Sequence, residues 1–194
     1  MQDVNTRMER FFSTLWPAEE KVLVFGEGRR DHPSVMLIGE APGEQETLQR
    51  RPFVGKAGRN LDGFLEAVRL TRSEIYITNV VKIRPTRVSE KGTVSNRPPS
   101  REELALFIPY LYEEIEAVSP ALIVTLGNTA LRALLGGEAS IGVCHGSAQT
   151  AAIGRTEYTV FPLYHPASII YNRALMPVYE EDLRRLGALM QSGV

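Results

Sequence analysis

Three side chains that can do chemistry stand at or near the ends of short apolar runs. Glu40 follows residues 35–39, Asn79 lies near the end of residues 75–81, and His165 follows residues 159–163. A carboxylate can hold a water molecule or stabilise a cation, an amide can read the donors and acceptors of a ligand, and an imidazole can donate a proton. Each residue also has a purely structural interpretation. Glu40 can be a solvated carboxylate in a turn, Asn79 a structural amide, and His165 a loop histidine whose hydrogen bonds are made within the protein.

The elements around these residues alternate between strand and helix. Four apolar runs predict strands buried on both faces, at residues 35–38, 75–81, 121–126 and 159–163. Apolar residues at helical spacing cover 4–15, three stretches that start at 57, 101 and 128, and finally 178–190. This pattern predicts an α/β fold, a three-layer α/β/α sandwich with a central, mainly parallel four-stranded sheet.

The predicted sheet brings the three side chains together. Ligands of such sheets bind beyond the carboxyl ends of the strands, so Glu40, Asn79 and His165 are expected at one edge. Phe53 lies in a loop after the first of these strands, where its ring either fills the core or offers a stacking platform. The convergence of the three polar side chains favours a functional site over the purely structural interpretations.

Local signals predict other features of the chain. Residues 22–25 form a short strand or an extended piece, and the small polar residues at 138–157 predict an irregular or hairpin stretch. Ser100 and Glu103 form a capping box at the start of a helix. Pro109 would kink that helix, at a cost of about 3 kcal/mol, unless it lies in the first turns.

Length, net charge and cysteine content limit the classes to which this protein can belong. The 194 residues fit one domain over residues 1–194, and the net charge of -1 predicts no general affinity for polyanions. The single cysteine, Cys144, excludes an internal disulfide and an all-cysteine metal site, which indicates a reducing compartment. A signal peptide's apolar segment is missing and no apolar run approaches about 18 residues. We therefore expect a cytoplasmic protein with no membrane partner. A monomer is expected as well, although the sequence does not determine the oligomeric state.

Positive charge is gathered in the long polar connection at residues 82–99. It carries Lys82, Arg84, Arg87, Lys91 and Arg97 against a single acidic residue. This local excess is what a nucleic-acid contact would need in a nearly neutral chain. For charges alone, a solvated loop is the commoner outcome.

Five short blocks of the sequence resemble the uracil-DNA glycosylase superfamily, most closely its family 4, whose members usually carry an iron–sulfur cluster. The blocks are Gly39-Glu40-Ala41-Pro42-Gly43 with Glu46, Arg51-Pro52-Phe53-Val54-Gly55-Lys56-Ala57-Gly58, Asn79-Val80-Val81-Lys82, Asn96-Arg97-Pro98-Pro99 and His165-Pro166-Ala167. The resemblance runs from about residue 22 to residue 171. Five blocks in the family's order are far more specific than any one of them.

The resemblance implies that four residues act on uracil in DNA. Phe53 would stack on the extruded base, Asn79 would read its edge, and His165 would donate to its O2 as negative charge builds. Glu40 would hold the attacking water or stabilise the sugar cation. Together they imply cleavage of the N-glycosidic bond without a metal.

The resemblance also implies contacts around the base and along the DNA. Gly39 and Gly43 would let the backbone approach the base and the phosphate, and the substrate-binding set also includes Ala41 and Glu46. DNA contacts are expected from six residues: Arg51, Lys82, Arg84, Arg97, Pro166 and Ser168. The residues after Pro166, Ile169 and Ile170 among them, would enter the minor groove.

The chain departs from family 4 where that family binds its cluster. Ile83 and Phe107 stand at two positions where cysteines are expected, and apolar residues within 11–16 replace an amino-terminal pair. One cysteine cannot ligate a cluster, so we predict that the 4Fe-4S cluster is absent and that a packed apolar plug takes its structural role. Arg50, where the family more often has glycine, and the longer insert at residues 86–95 alter the approach to DNA.

Two hypotheses of different classes follow. The first is a DNA glycosylase that hydrolyses the N-glycosidic bond of uracil in single- or double-stranded DNA. The alternative is a catalytically silent or altered-specificity member of the superfamily that binds nucleic acid through the basic connection. A nucleotide-phosphate enzyme built on Gly39 and Gly43 is a poor third interpretation, because no Gly-Lys-Ser/Thr follows.

Overall fold

The computed structural model describes residues 2–17 and 21–192. Its strands are β1 Glu27–Gly28, β2 Val35–Gly39, β3 Tyr76–Asn79, β4 Thr86–Val88, β5 Val94–Asn96, β6 Leu122–Leu126, β7 Gln149–Ile153 and β8 Thr156–Leu163. Its helices are α1 Gln2–Leu15, α2 Glu44–Gln49, α3 Lys56–Ala67, α4 Arg101–Val118, α5 Asn128–Leu135, α6 Ile141–Cys144, α7 Pro166–Tyr171 and α8 Met176–Gln191, with a short 3₁₀ helix at Arg173–Leu175.

The central sheet has the strand order β1-β3-β2-β6-β8-β7. The four inner strands are parallel, which confirms the predicted parallel core. The prediction of four strands is wrong, because β1 and β7 pair antiparallel along the two edges. β7 and β8 form the hairpin that was one option for residues 138–157, with Gly154 at φ +59° in the turn.

Helices cover both faces of the sheet, so the predicted three-layer α/β/α sandwich is confirmed. β2 shows how the layers divide: Met36 and Ile38 pack with α1, α4 and α5, while Val35 and Leu37 pack with α3, α7 and α8. All five residues of β2 are buried. A strand covered on both faces has no polar side, which explains its continuous apolar run.

The capping box starts α4 as predicted. The Ser100 hydroxyl accepts from the Glu103 amide at 3.2 Å, and the Glu103 carboxylate accepts from the Ser100 amide at 2.7 Å. Pro109 lies inside the helix rather than in its first turn. Because proline has no backbone N–H, residue 109 cannot donate the hydrogen bond that a helix normally forms at this position.

Other expectations about the connections need correction. The long connection after β3 is not a plain loop, because Thr86–Val88 and Val94–Asn96 pair as an antiparallel hairpin. Residues 22–25 need no correction: they are extended, which was one of the two options predicted for them, and the Val24 amide donates to the Lys82 carbonyl at 2.7 Å. Within residues 2–17 and 21–192, the helices include none with the length and apolarity needed to cross a bilayer.

Candidate active site

A cleft of about 510 Å³ opens at the carboxyl edge of the parallel strands, and Glu40, Phe53, Asn79 and His165 all line it. Its size lies in the usual range for small-molecule sites, about 300–1,000 Å³. The cleft lies at the switch point of the sheet, since the chain runs from β2 to β3 on one side and then crosses to β6 on the other. The predicted convergence of Glu40, Asn79 and His165 is therefore observed, and Phe53 lines the same cleft.

His165 is oriented by the start of α7. Its Nδ1 accepts a hydrogen bond from the Ala167 amide at 3.1 Å, so the ring proton belongs on Nε2. Burial lowers the pKa of His165 below its ordinary value, which keeps the ring neutral at pH 7. The site therefore offers an uncharged Nε2–H donor.

Glu40 is oriented by Thr129, a residue that the sequence analysis missed. The Thr129 hydroxyl donates to Oε2 of Glu40 from the first turn of α5. Gly127, at φ +85°, turns the chain from β6 into this helix and faces His165, whose Cβ would lie 3.3 Å from a Cβ at this position. The end-of-strand rule that located Glu40, Asn79 and His165 would also have found Thr129 after β6.

Gly39 allows the side chains of Asn79 and Phe53 to approach each other at the end of β2. A Cβ at Gly39 would overlap the Asn79 side-chain oxygen and the Phe53 ring. The protein's own side chains therefore use the room that a glycine leaves at this position, and the expected approach of the Gly39 backbone to the base stays a prediction. Asn79 is 3% exposed, and the Phe53 and His165 rings lie 6.1 Å apart with 26° between their planes.

Phe53 is held in a left-handed backbone conformation, at φ +53°. Such a conformation costs about 1–3 kcal/mol in a non-glycine residue and persists only where the surroundings impose it. Arg72 supplies part of that constraint by donating to the Phe53 carbonyl at 2.6 Å. Nothing in the local sequence links Arg72 to Phe53, which lies 19 residues earlier.

Glu46 joins the two loops that line the cleft. Its carboxylate accepts from the amides of Gly43 at 3.1 Å, Val54 at 3.0 Å and Gly55 at 2.7 Å. A Cβ at Gly43 would lie 2.7 Å from Glu46 Oε2, so the room at Gly43 is taken by this carboxylate. Glu46 and Ala41 both line the cleft.

The structure corrects Lys82 as a DNA contact. Lys82 is 1% exposed and forms a buried ion pair with Glu114, so its ammonium cannot reach a phosphate. Pro166 is buried as the first residue of α7, and Ser168 is half-buried. Ile169 is also buried in the core, whereas Ile170 is 49% and Tyr171 is 90% exposed.

The three arginines expected to contact DNA already have carboxylate partners. Arg51 pairs with Glu27 at 2.8 Å, Arg84 with Glu44 at 3.3 Å, and Arg97 with Glu103 at 2.6 Å. Arg97 lines the cleft, and its pair with Glu103 raises the pKa of Arg97 and lowers that of Glu103. The positive charge of this surface is therefore partly neutralised.

The residues at the expected cluster positions do not fit an iron–sulfur cluster. Phe107 is fully buried and Ile83 is 2% exposed. Phe12 stacks on Phe107 at 4.4 Å and on Trp16 at 4.8 Å, which joins α1 to α4. None of these side chains ligates iron. Within the described part of the chain, no group of three or more His, Cys, Asp or Glu residues could hold a metal ion.

Comparisons with known proteins agree with this geometry. The family model described as "Uracil DNA glycosylase superfamily" matches residues 25–185. A type-4 uracil-DNA glycosylase of Saccharolobus solfataricus is 37% identical over 183 residues, which is 92% of this chain and 80% of that protein. A type-4 uracil-DNA glycosylase of Thermotoga maritima is 34% identical over 188 residues, which is 95% of this chain and 92% of that protein.

Proposed function

This chain belongs to the uracil-DNA glycosylase superfamily, and we propose that it removes uracil from DNA by hydrolysing the N-glycosidic bond. The observation that carries the proposal is the cleft in which a carboxylate, an aromatic ring, an amide and a neutral imidazole meet: Glu40, Phe53, Asn79 and His165. These groups suit a flat, polar-edged base attached to a sugar.

The base is recognised after it leaves the duplex. Extrusion costs a few kcal/mol, which favours single-stranded or mispaired uracil as a substrate. Phe53 stacks on the extruded ring, an interaction of about 1–3 kcal/mol for a base on an aromatic side chain. Asn79 accepts from N3–H and donates to O4 of uracil. Cytosine presents the opposite pattern at these two atoms, so a fixed amide rejects it.

The reaction separates charge between the base and the sugar. As the N1–C1′ bond breaks, its electron pair stays on uracil, and the Nε2–H of His165 donates to O2 of the departing anion. Glu40 holds the water that attacks C1′, and the water's proton passes to this carboxylate or to solvent. The Thr129 hydroxyl orients Glu40 through Oε2, which favours Oε1 as the water's acceptor. Preorganised groups of this kind stabilise the transition state without reorganising.

The DNA contacts surround the cleft. Arg51, Arg84 and Arg97 exchange their carboxylate partners for phosphates when DNA binds. Ser168 and the backbone at Pro166 contact the strand beside the extruded nucleotide. The exposed pair Ile170 and Tyr171 fills the space that the base leaves, in place of the buried Ile169.

The protein acts without the iron–sulfur cluster, since its one cysteine cannot ligate one. The apolar stack of Phe12, Phe107 and Trp16 supplies the packing between α1 and α4 instead. We also infer one domain over residues 1–194 that acts as a monomer in the cytoplasm.

A single-turnover assay tests the proposal. The protein is mixed in excess with an oligonucleotide that carries one uracil, and base release is detected by alkaline cleavage at the abasic site. Uracil release is expected from single- and double-stranded oligonucleotides, and none from matched cytosine oligonucleotides. Tight binding without release would overturn the proposal in favour of a silent DNA-binding protein. Release of hypoxanthine, xanthine or mispaired thymine in preference to uracil would show an altered specificity.

A further inference from the structure

Lys82 lies beneath the cleft, where its ammonium has three acceptors. Its Nζ donates to the Thr78 hydroxyl at 2.6 Å, to the main-chain carbonyl of Asn79 at 2.7 Å and to the Glu114 carboxylate. An ammonium carries three protons, so these three acceptors use all of them. Lys82 is therefore fully engaged inside the protein.

Glu114 makes the buried charge of Lys82 tolerable. It lies on the apolar side of α4 beside Leu111 and Ile115, and it is 1% exposed. The Tyr76 hydroxyl also donates to this carboxylate at 2.8 Å. Burial lowers the pKa of Lys82 while Glu114 opposes that shift. Replacing a buried ion pair with well-packed apolar residues is often neutral or stabilising, so stability alone does not explain this pair.

The segment that follows β3 is fixed at several points around Asn79. The amides of Val80 and Val81 donate to the carbonyls of Gly39 and Glu40 at 2.9 and 3.0 Å. The Lys82 side chain folds back under this segment to hold the carbonyl of Asn79. The backbone of the base-reading amide is thereby fixed both to the Glu40 loop and, through Glu114, to α4.

We propose that Lys82 is a positioning residue that holds Asn79 at the orientation needed to distinguish uracil from cytosine, and that Glu114 is the counter-ion that keeps it there. The proposal rests on the role of Asn79 given above. An amide reads a base edge only while its oxygen and nitrogen keep fixed directions. Loss of the Lys82 contact therefore affects base selection and the rate more than it affects affinity for DNA.

The test uses the double variant Lys82→Met with Glu114→Gln. Methionine fills the space of the lysine stem, and glutamine keeps an acceptor for Tyr76, so no buried charge is left unpaired. Leu111→Ala is the matched control: it removes buried apolar volume from the same helix and leaves the contact between Lys82 and Asn79 intact. Thermal unfolding of each variant identifies a temperature at which all of them are folded.

Two measurements separate positioning from folding. The first is the single-turnover rate constant for uracil release, expected to fall by about tenfold or more in the double variant, since small misplacements are costly in a preorganised site. The second compares affinities for non-hydrolysable oligonucleotides that carry 2′-fluoro-2′-deoxyuridine or 2′-fluoro-2′-deoxycytidine. The preference for the uridine form is expected to fall in the double variant and to persist in Leu111→Ala.

Two outcomes would overturn the inference. One is a double variant that keeps the wild-type rate and preference, and the other is a double variant whose losses Leu111→Ala reproduces at equal stability. Asn79→Ala distinguishes this failure from failure of the proposed function. If Asn79→Ala loses the uridine preference while the double variant keeps it, Asn79 reads the base without help from Lys82. If Asn79→Ala also keeps the preference, the proposed role of Asn79 is wrong.

Discussion

His165 is held as a neutral hydrogen-bond donor by the residues around it. Because its Nδ1 accepts from the Ala167 amide, Nε2 carries the ring proton and is the nitrogen that can donate to a ligand. A donor of this type contributes most when negative charge develops on its acceptor. We expect His165→Ala to lower the single-turnover rate constant by about 10²- to 10³-fold, the usual loss for one such donor. Affinity for the non-hydrolysable uridine oligonucleotide should change much less, and equal losses in both quantities would contradict the assignment.

The lowered pKa of His165 predicts the pH dependence of the same step. The folded-state pKa lies below the unfolded value of about 6.5. The neutral ring therefore predominates at neutral and alkaline pH, and the single-turnover rate constant should stay flat from about pH 7 to 9. The contribution of the neutral ring to stability is present above the unfolded pKa and is lost as the pH falls through the folded pKa. A rate that declines through neutral pH as protons are lost would indicate a required imidazolium instead.

The hydrogen bonds of the Glu46 carboxylate are expected to contribute to the stability of the protein. In Glu46→Gln an amide NH2 group replaces one carboxylate oxygen. At least one of the backbone N–H groups of Gly43, Val54 and Gly55 then faces a donor and loses its acceptor. We expect a loss of about 1–3 kcal/mol in the free energy of unfolding, the cost of an unsatisfied buried donor. Urea unfolding measures it. Glu44→Gln, an exposed change in the same helix, is the control and should be close to neutral.

Single residues differ in how far the sequence could predict their roles. Glu40, Asn79 and His165 could be located because each ends or follows an apolar run. Lys82 was misassigned because a lysine beside a polar connection resembles a surface charge. One feature of the sequence could have indicated that Lys82 is buried. Glu114 falls on the apolar side of α4, and a carboxylate there needs a buried cation. The contact of Arg72 with Phe53 depends on the tertiary fold alone.

Among the strands, the parallel ones were predictable, whereas the edges were predictable only in part, with a hairpin as one option for the residues of β7. Strands buried on both faces leave a continuous apolar run, whereas the edge strand β7 alternates between buried and exposed residues. β1 has only two residues, too few for any periodicity. The β4–β5 hairpin exposes Val88 and Val94 in a polar stretch, so its strands leave no core-facing pattern. The short helices α2, α6 and α7 were missed for the same reason, since four to six residues carry little periodicity.

The contact between α1 and α4 depends on the aromatic stack at the expected cluster positions. Phe12 is 4% exposed and lies between Phe107 and Trp16. Phe12→Ala should lower the free energy of unfolding by about 3–5 kcal/mol, as truncation of a buried phenylalanine usually does. Phe11→Ala, on the same helix but 40% exposed, should cost less. Treatment with an iron chelator should leave the wild-type melting temperature unchanged, and a chelator-induced loss of stability would refute the apolar plug.

The charge distribution of the protein predicts weak and only moderately salt-dependent binding to undamaged DNA. The net charge is -1, and Arg51, Arg84 and Arg97 must each leave a carboxylate to reach a phosphate. Three phosphate contacts would give a slope of log affinity against log salt of about -3 for duplex DNA. Arg84→Gln should reduce the magnitude of that slope by about 1. Arg185→Gln, which breaks an exposed pair with Glu181 on α8, should leave it unchanged. Fluorescence anisotropy over a salt series measures the slope, and equal effects of the two variants would show that Arg84 does not contact the DNA backbone.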